Sequence, residues 1–237
     1  MSKGRRALKI VSFVVLFCVL AFVAYQLFQI RRITVNGCET LKEENIISLT
    51  GLEYGQSIFT VDTQQIMETM DTEPNIKPVS VNIEYPDGIV ITIKQRKEAA
   101  CIKKENALLI IDDECYLLKV LMQPDVVPYP LVHGLQADAF KVGERVGVKD
   151  IYQLDVLSSV LVEAKNSGIS LLSIDVSLAA NVVLETKDGY TVEIGDDTRL
   201  SNKFSLVKSV IKKIKEMGKT EGILNVASAA NVYYREN

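Results

Sequence analysis

A stretch of 21 residues from Ile10 to Ile30 carries no charged side chain, and only Ser12, Tyr25, Gln26 and Gln29 interrupt its apolar run. At about 1.5 Å per residue, a helix of this length covers roughly 30 Å, the thickness of a bilayer's hydrocarbon layer. Tyr25, Gln26 and Gln29 gather near one end, where the interface would lie. The run therefore predicts one transmembrane helix over residues 10–30, from which the rest of the chain hangs. Lys3, Arg5, Arg6 and Lys9 precede it, and Arg31 and Arg32 follow it. The bias of basic residues toward the cytoplasmic flank predicts a single-pass protein of the cytoplasmic membrane, with its N-terminus in the cytoplasm and residues from about 31 outside. The alternative is a cleavable signal peptide, with Val19–Leu20–Ala21 as its small-residue site. The run exceeds the ~7–15 apolar residues of such a peptide and continues well past that site.

Beyond the anchor the composition is that of a globular protein, with 48% hydrophobic and 24% charged residues overall. That length suits one large domain or two small ones. No acidic residue precedes Glu39, so removing the four basic residues before the run leaves 23 basic against 30 acidic side chains, a net charge of −7. This balance argues against binding nucleic acid or anionic lipid through a broad basic surface. Outside the run lie Cys38, Cys101 and Cys115, an odd number without CxxC spacing, which is no disulfide framework. Cys101 and Cys115 fall on expected strands that could be neighbours. They are either an isolated bridge or, the reading favoured here, two buried thiols.

In chain order, Ile30–Val35 alternates as a strand closed by Asn36–Gly37. Leu41–Leu49 reads as a short amphipathic helix capped by Thr40 and stopped by Gly51. After Gly55, Asp62 caps a second helix with Ile66 and Met70 on its apolar face. Val79–Tyr85 and Ile89–Lys94 alternate as two strands joined by Pro86–Asp87–Gly88. The order is β-α-α-β-β.

These residues together, with Ser57–Ile58–Phe59, Pro74, Val79–Ser80–Val81, Tyr85–Pro86 and Ile89–Arg96, resemble a POTRA module. Placed directly after a membrane span, the module is similar to that of the bacterial cell-division family FtsQ, called DivIB in Gram-positive lineages. The resemblance continues through Tyr129–Pro130–Leu131–Val132, Gly134, Ile174–Asp175–Val176 and Asn231–Val232–Tyr233–Tyr234–Arg235, which look like the family's β-domain. It implies a POTRA domain at 31–98 and a β-domain at 99–237, following a cytoplasmic tail at 1–9. Two positions depart from the family pattern: Gln95, where an acidic residue usually precedes the arginine, and Asn225, where Asp is common.

The second region reads independently as α+β. Ala100–Lys104, Ala107–Asp112 and Cys115–Val120 form a meander, and Pro124, Pro128 and Pro130 keep the next stretch irregular before an extended Leu131–Val132. Ile151, Leu154, Leu157, Val160, Leu161 and Ala164 recur at helical spacing before Gly168; Leu200, Phe204, Val207, Ile211 and Ile214 do so before Gly218. Strands are expected at Ile174–Val176, Val182–Thr186, Tyr190–Ile194, Ile223–Ala227 and Val232–Arg235. An internal echo joins two of these regions. Ile174–Val182 reads IDVSLAANV and Leu224–Val232 reads LNVASAANV, at an offset of 50. Two hairpins using the same turn chemistry or a duplicated strand–helix unit would produce it, and either suggests a sheet with helices on one face.

Catalytic chemistry finds little support in these residues. His133 is the only histidine, which excludes an HExxH or multi-histidine metal site. It lies at an expected strand end, where a structural role outweighs a place in a triad. Asp112–Asp113–Glu114 and Asp196–Asp197 fall at turns and read as solvated acids. Gly218–Lys219–Thr220 mimics the end of a P-loop, but Lys213 stands where a glycine is required. Lys203, Lys208, Lys212, Lys213, Lys215 and Lys219 read as a solvated helix face, with an acidic partner as the alternative. The expectation is a protein without catalytic residues, metal or cofactor that works by binding other proteins.

The family resemblance implies a non-enzymatic scaffold of the divisome at the division septum. It would engage FtsL and FtsB/DivIC-type proteins and help to regulate the septal peptidoglycan synthase. A POTRA receptor in protein export or envelope assembly is the alternative within a related class, and a membrane-anchored wall hydrolase the alternative from another. The expected partner site is Asn231–Arg235, with Asn231 turning the chain into a terminal strand. Its Val232–Tyr233–Tyr234 run lacks the central charges or proline that discourage edge pairing.

Overall fold

The computed structural model describes residues 3–122, 126–228 and 231–236. The chain divides into two compact units, Met1–Gln95 and Arg96–Asn237. In the first, α1 (Lys3–Leu27) is followed by β1 (Arg32–Asn36), α2 (Glu43–Thr50), a single 3-10 turn (Ile58–Thr60), α3 (Thr63–Asp71), β2 (Ile76–Glu84) and β3 (Gly88–Gln95). This is the expected β-α-α-β-β order behind an apolar helix. The stretch Lys9–Leu27 of α1 is long and apolar enough to cross a membrane, and none of it is buried inside the protein. The helix ends at Leu27, three residues before the apolar run does. Ile30 is fully buried in one core with Ile46, Ile58, Ile89 and Ile91. The end of the apolar run thus serves the domain and not the span.

β3 is the middle strand of its sheet, parallel to β1 and antiparallel to β2. Gly51, left-handed at φ 68°, ends α2 as expected, but Thr40 does not cap it. Lys42 takes the N-cap position without a side-chain bond, while Thr40 is held by Gln95. The Gln95 Oε1 accepts from the Thr40 N–H at 3.0 Å and the Glu39 N–H at 3.3 Å, and its Nε2 donates to Thr40 Oγ1. An amide can accept and donate there at once, which a carboxylate cannot. Asp62 caps α3 by accepting from the Gln64 and Gln65 N–H groups, both at 3.0 Å, and Ile66 and Met70 are buried beneath.

The second unit comprises β4 (Ala100–Lys104), β5 (Ala107–Ile111), β6 (Leu117–Met122), β7 (Leu131–His133), β8 (Ala137–Ala139), β9 (Gly147–Val148), α4 (Ile151–Ser167), β10 (Leu171–Asp175), β11 (Val182–Thr186), β12 (Tyr190–Gly195), α5 (Leu200–Glu216), β13 (Gly222–Ser228) and β14 (Asn231–Arg235). Nine of its strands form one sheet in the order β14-β13-β12-β11-β10-β7-β4-β5-β6, and β8 and β9 pair by themselves. Pro124 of the expected irregular stretch lies outside the described residues. Alternation along the meander splits the sheet's two faces: Ala100, Ile102, Leu109 and Ile111 join the core shared with α4 and α5, while Cys101, Leu108 and Ile110 form a separate apolar cluster.

That split settles the two cysteines. Cys101 belongs to the small cluster and Cys115 to the large core, and both are free thiols. Cys115 is not on a strand but in the preceding turn, with φ at 65°. Burial pushes its thiol up to about 12, and burial also raises those of Cys101 and Cys38. Maleimide is therefore expected to label half-buried Cys38 in the folded chain and to reach Cys115 only after denaturant is added. Equal native rates for the two would contradict this packing.

Two sets of charged residues differ from expectation. The Asp112–Asp113–Glu114 turn is not solvated: Asp112 is 1% exposed and Asp113 is buried. The Asp112 Oδ2 accepts from Arg96 Nη1 at 2.5 Å, and Lys165 Nζ lies 2.7 Å from Asp113 Oδ2. Lys203 is likewise buried among the otherwise outward lysines of α5, donating to the Asp196 carbonyl at 2.9 Å and to its carboxylate at 2.7 Å. Those bonds from Lys203, together with Thr198, hold the Asp196 carboxyl down at about 2.

The internal echo extends through the pairing pattern. Ile174 pairs with Leu184 and Asp175 with Val183; 50 residues on, Leu224 pairs with Tyr234 and Asn225 with Tyr233. Ile174 also pairs in parallel with Val132 on β7, as Leu224 does with Val192 on β12. The units β7-α4-β10-β11 and β12-α5-β13-β14 are therefore two copies of one strand–helix–strand–strand pattern. Ala229 and Ala230 of the echoed motif lie outside the described residues.

Candidate protein-binding edge

β14 ends the nine-stranded sheet, with β13 on one side and, among the described residues, no strand on the other. The register Ile223↔Arg235, Leu224↔Tyr234 and Asn225↔Tyr233 places alternate side chains on opposite faces. Val232 and Tyr234 pack against the core shared with the helices. Tyr234 is further held by its hydroxyl, which donates to the Glu221 carbonyl at 2.8 Å, and by Lys219 Nζ, 5.5 Å from its ring centroid. Tyr233 is 66% exposed and Arg235 is exposed. Of the two tyrosines, only Tyr233 therefore offers a free ring.

Asn231 is the first residue of β14 and not the turn before it. The ladder is irregular between Asn225 and Ser228, so β13 carries more residues than β14 between the two flanking pairs. Asn225 bridges that irregularity: its Oδ1 accepts from the Ala227 N–H at 3.1 Å, and its Nδ2 donates to Glu193 on β12. An aspartate at 225 would set a carboxylate against Glu193, so Asn225 and Glu193 suit each other. Gly222, with φ at 144°, is demanded by the seating of β14, because a Cβ there would come within 2.7 Å of the Arg235 carbonyl and 2.6 Å of the Tyr234 ring. Sequence reading missed Gly222, Glu221 and Lys219 as supports of this strand, since their roles depend on β14 lying alongside.

The basic residues flanking the apolar run are divided between elements. Lys3, Arg5, Arg6 and Lys9 lie in the first turns of α1, Arg31 follows the helix, and Arg32 opens β1. His133 closes β7, exposed, and among the described residues no three His, Cys, Asp or Glu side chains gather as a metal site would require.

The family described as "POTRA domain, FtsQ-type" matches residues 28–96. The protein named cell division protein DivIB of Clostridium tetani is 23% identical over 207 residues, covering 86% of this chain and 78% of that one. A DivIB of Clostridium acetobutylicum is 26% identical over 220 residues, 92% of this chain and 87% of the relative. A protein named cell division protein FtsQ from a Geobacter strain is 29% identical over 108 residues, 46% of this chain and 39% of its own. An FtsQ-type POTRA domain follows the N-terminal apolar helix, and relatives named cell division protein DivIB match on through the second unit, so over most of its length this chain is similar to the FtsQ/DivIB cell-division proteins.

Proposed function

We propose that the chain is a non-enzymatic, bitopic scaffold of the divisome, recruited to the septum with its N-terminus in the cytoplasm and its two domains outside. Its open β14 edge takes up an extended segment of an FtsB/DivIC- or FtsL-type partner and so couples the scaffold to septal peptidoglycan synthesis. The observation that carries this reading is the unpaired edge of β14, flanked by the free ring of Tyr233. Such an edge supplies unpaired backbone donors and acceptors in register with an incoming strand.

The internal repeat supports a specific geometry. β11, the counterpart of β14 in the first copy, has its outer side filled by β12, antiparallel, with Val183↔Glu193, Leu184↔Val192 and Glu185↔Thr191. A partner strand added to β14 by the same rule runs antiparallel, opposite Tyr233, Tyr234 and Arg235. A fluorescent fusion in dividing cells tests the reading as a whole. Midcell recruitment that coincides with retention of the partner's extracytoplasmic segment is expected. An even envelope distribution without that retention would overturn it.

A further inference from the structure

The path from α1 into the first domain is fixed by backbone hydrogen bonds. Phe28 N–H donates to Ala24 O at 3.2 Å, continuing the helix, and Phe28 O accepts from Ile58 N–H at 2.9 Å. Ile30 N–H donates to Gln56 O and Gly55 N–H to Ile30 O, both at 2.8 Å. Arg31 and Arg32 both donate their N–H groups to Asp87 O, at 2.9 and 3.2 Å. The loops around residues 53–60 and 85–88 are thereby pinned to the five residues that follow the apolar helix.

Three rings meet at this junction. The centroids of Phe28 and Phe59 are 5.0 Å apart, those of Phe59 and Tyr85 6.1 Å, and those of Phe28 and Tyr85 6.3 Å. The rings meet tilted or edge-on and are not sheltered: Phe59 is 65% and Tyr85 62% exposed, beside the fully buried Ile30 and Ile58. Exposed aromatic residues held together in this way mark an interaction surface. Their height relative to α1 says which one. Phe28 is the residue after the last helical position, Leu27, so it stands at the end of a membrane-length apolar helix, with the other two ring centroids 5.0 and 6.3 Å from its own. That level is where hydrocarbon gives way to headgroups, and where aromatic rings are favoured.

We propose that Phe28, Phe59 and Tyr85 form a platform that inserts at the headgroup level of the bilayer and seats the POTRA domain directly on the membrane. Arg31 and Arg32 stand beside it, Arg31 donating from Nη2 to Gln26 O at 3.0 Å and Arg32 to Asp87 Oδ1 at 3.1 Å. This inference rests on α1 crossing the membrane and is independent of strand addition at β14.

The chain contains no tryptophan, so a single substitution makes a unique fluorescent reporter. The full chain is reconstituted in phosphatidylcholine nanodiscs whose acyl chains are brominated either near the headgroup or near their ends. Phe59→Trp and Tyr85→Trp are compared with Val79→Trp, an exposed site on β2 roughly 20 Å along the strand from Tyr85, and with Phe17→Trp inside α1. Phe59→Trp and Tyr85→Trp are expected to emit to the blue of Val79→Trp and to lose emission chiefly to shallow bromine, while Phe17→Trp loses it chiefly to deep bromine. Emission at 59 and 85 as red and as unquenched as at 79 would overturn the platform. So would blue-shifted emission without quenching, which denotes contact with protein, a second copy included. If Phe17→Trp also escaped quenching, the membrane span itself would fail and the platform with it, leaving partner capture at β14 untouched.

Discussion

Replacing Asp112 by alanine is expected to destabilise the second domain by about 3–5 kcal/mol, the usual cost of removing one partner from a buried ion pair. The carboxylate sits at the centre of a closed arrangement. Its Oδ2 faces Arg96 Nη1 at 2.5 Å, and its Oδ1 accepts from the Glu114 N–H at 2.9 Å and the Tyr116 N–H at 2.7 Å. The Arg96 guanidinium lies over the Tyr116 ring, 3.7 Å from its centroid, with Glu114 at 3.2 Å as a second carboxylate. Alanine would leave a buried guanidinium short of its closest counter-charge and two N–H groups without their acceptor, each of which carries a desolvation cost. A domain stability of about 5–15 kcal/mol would lose a large fraction of itself. Urea unfolding of the chain from Phe28 onward measures this directly. The double replacement Arg96→Met with Asp112→Leu should be less destabilised than Asp112→Ala, because no charge is left unpaired. A loss below about 1 kcal/mol in Asp112→Ala would show that the pair is not what holds this turn.

Proline on β14 is expected to weaken partner capture on the order of ten- to a hundredfold while leaving the domain's melting nearly unchanged at one of two neighbouring positions. Along an edge strand, successive N–H groups alternate between the inner neighbour and the open side. Of Val232→Pro and Tyr233→Pro, the variant that removes the outward donor spares the pairing with β13; the other breaks it and melts earlier. The outward variant removes a hydrogen bond worth about 0.5–1.5 kcal/mol and puts a ring in the path of the incoming strand. Together these amount to roughly 1.4–2.8 kcal/mol, at about 1.4 kcal/mol per tenfold in affinity. Tyr233→Ser, which takes away the exposed ring and keeps the donor, should fall between the outward proline variant and the unaltered chain. The measurement is capture of the candidate partner's extracytoplasmic segment alongside thermal melting of each variant. Undiminished capture by both proline variants would remove β14 as the site.

The elements whose signals are local were legible before any fold was known. The apolar run, the Asp62 cap, the Gly51 and Gly168 stops, the hairpin between β2 and β3, and the apolar stripes of α4 and α5 each depend on residues a few positions apart. Periods of about 3.6 and 2 residues, caps and left-handed glycines are written in such short windows. The offset of 50 between the two echoed motifs was equally visible, but its meaning was not. Similar turns or a duplicated unit would print the same letters, and only the matched pairing of Ile174 with Val132 and of Leu224 with Val192 distinguishes the duplication.

What sequence alone determined, then, is an apolar helix of membrane length, a β-α-α-β-β module and a strand-rich partner domain with two amphipathic helices. The tertiary structure decided which residues those elements share and which they leave open. It drew Ile30 from the apolar run into the domain core and turned Asp112 and Lys203 inward to meet Arg96 and Asp196. It set Cys101 and Cys115 in separate clusters, and separated Tyr234, packed and hydrogen-bonded, from Tyr233, free at the edge. Each of these depends on the order in which distant strands pair. A sheet that runs β14-β13-β12-β11-β10-β7-β4-β5-β6 sets residues far apart in the chain side by side, and no local periodicity encodes that order.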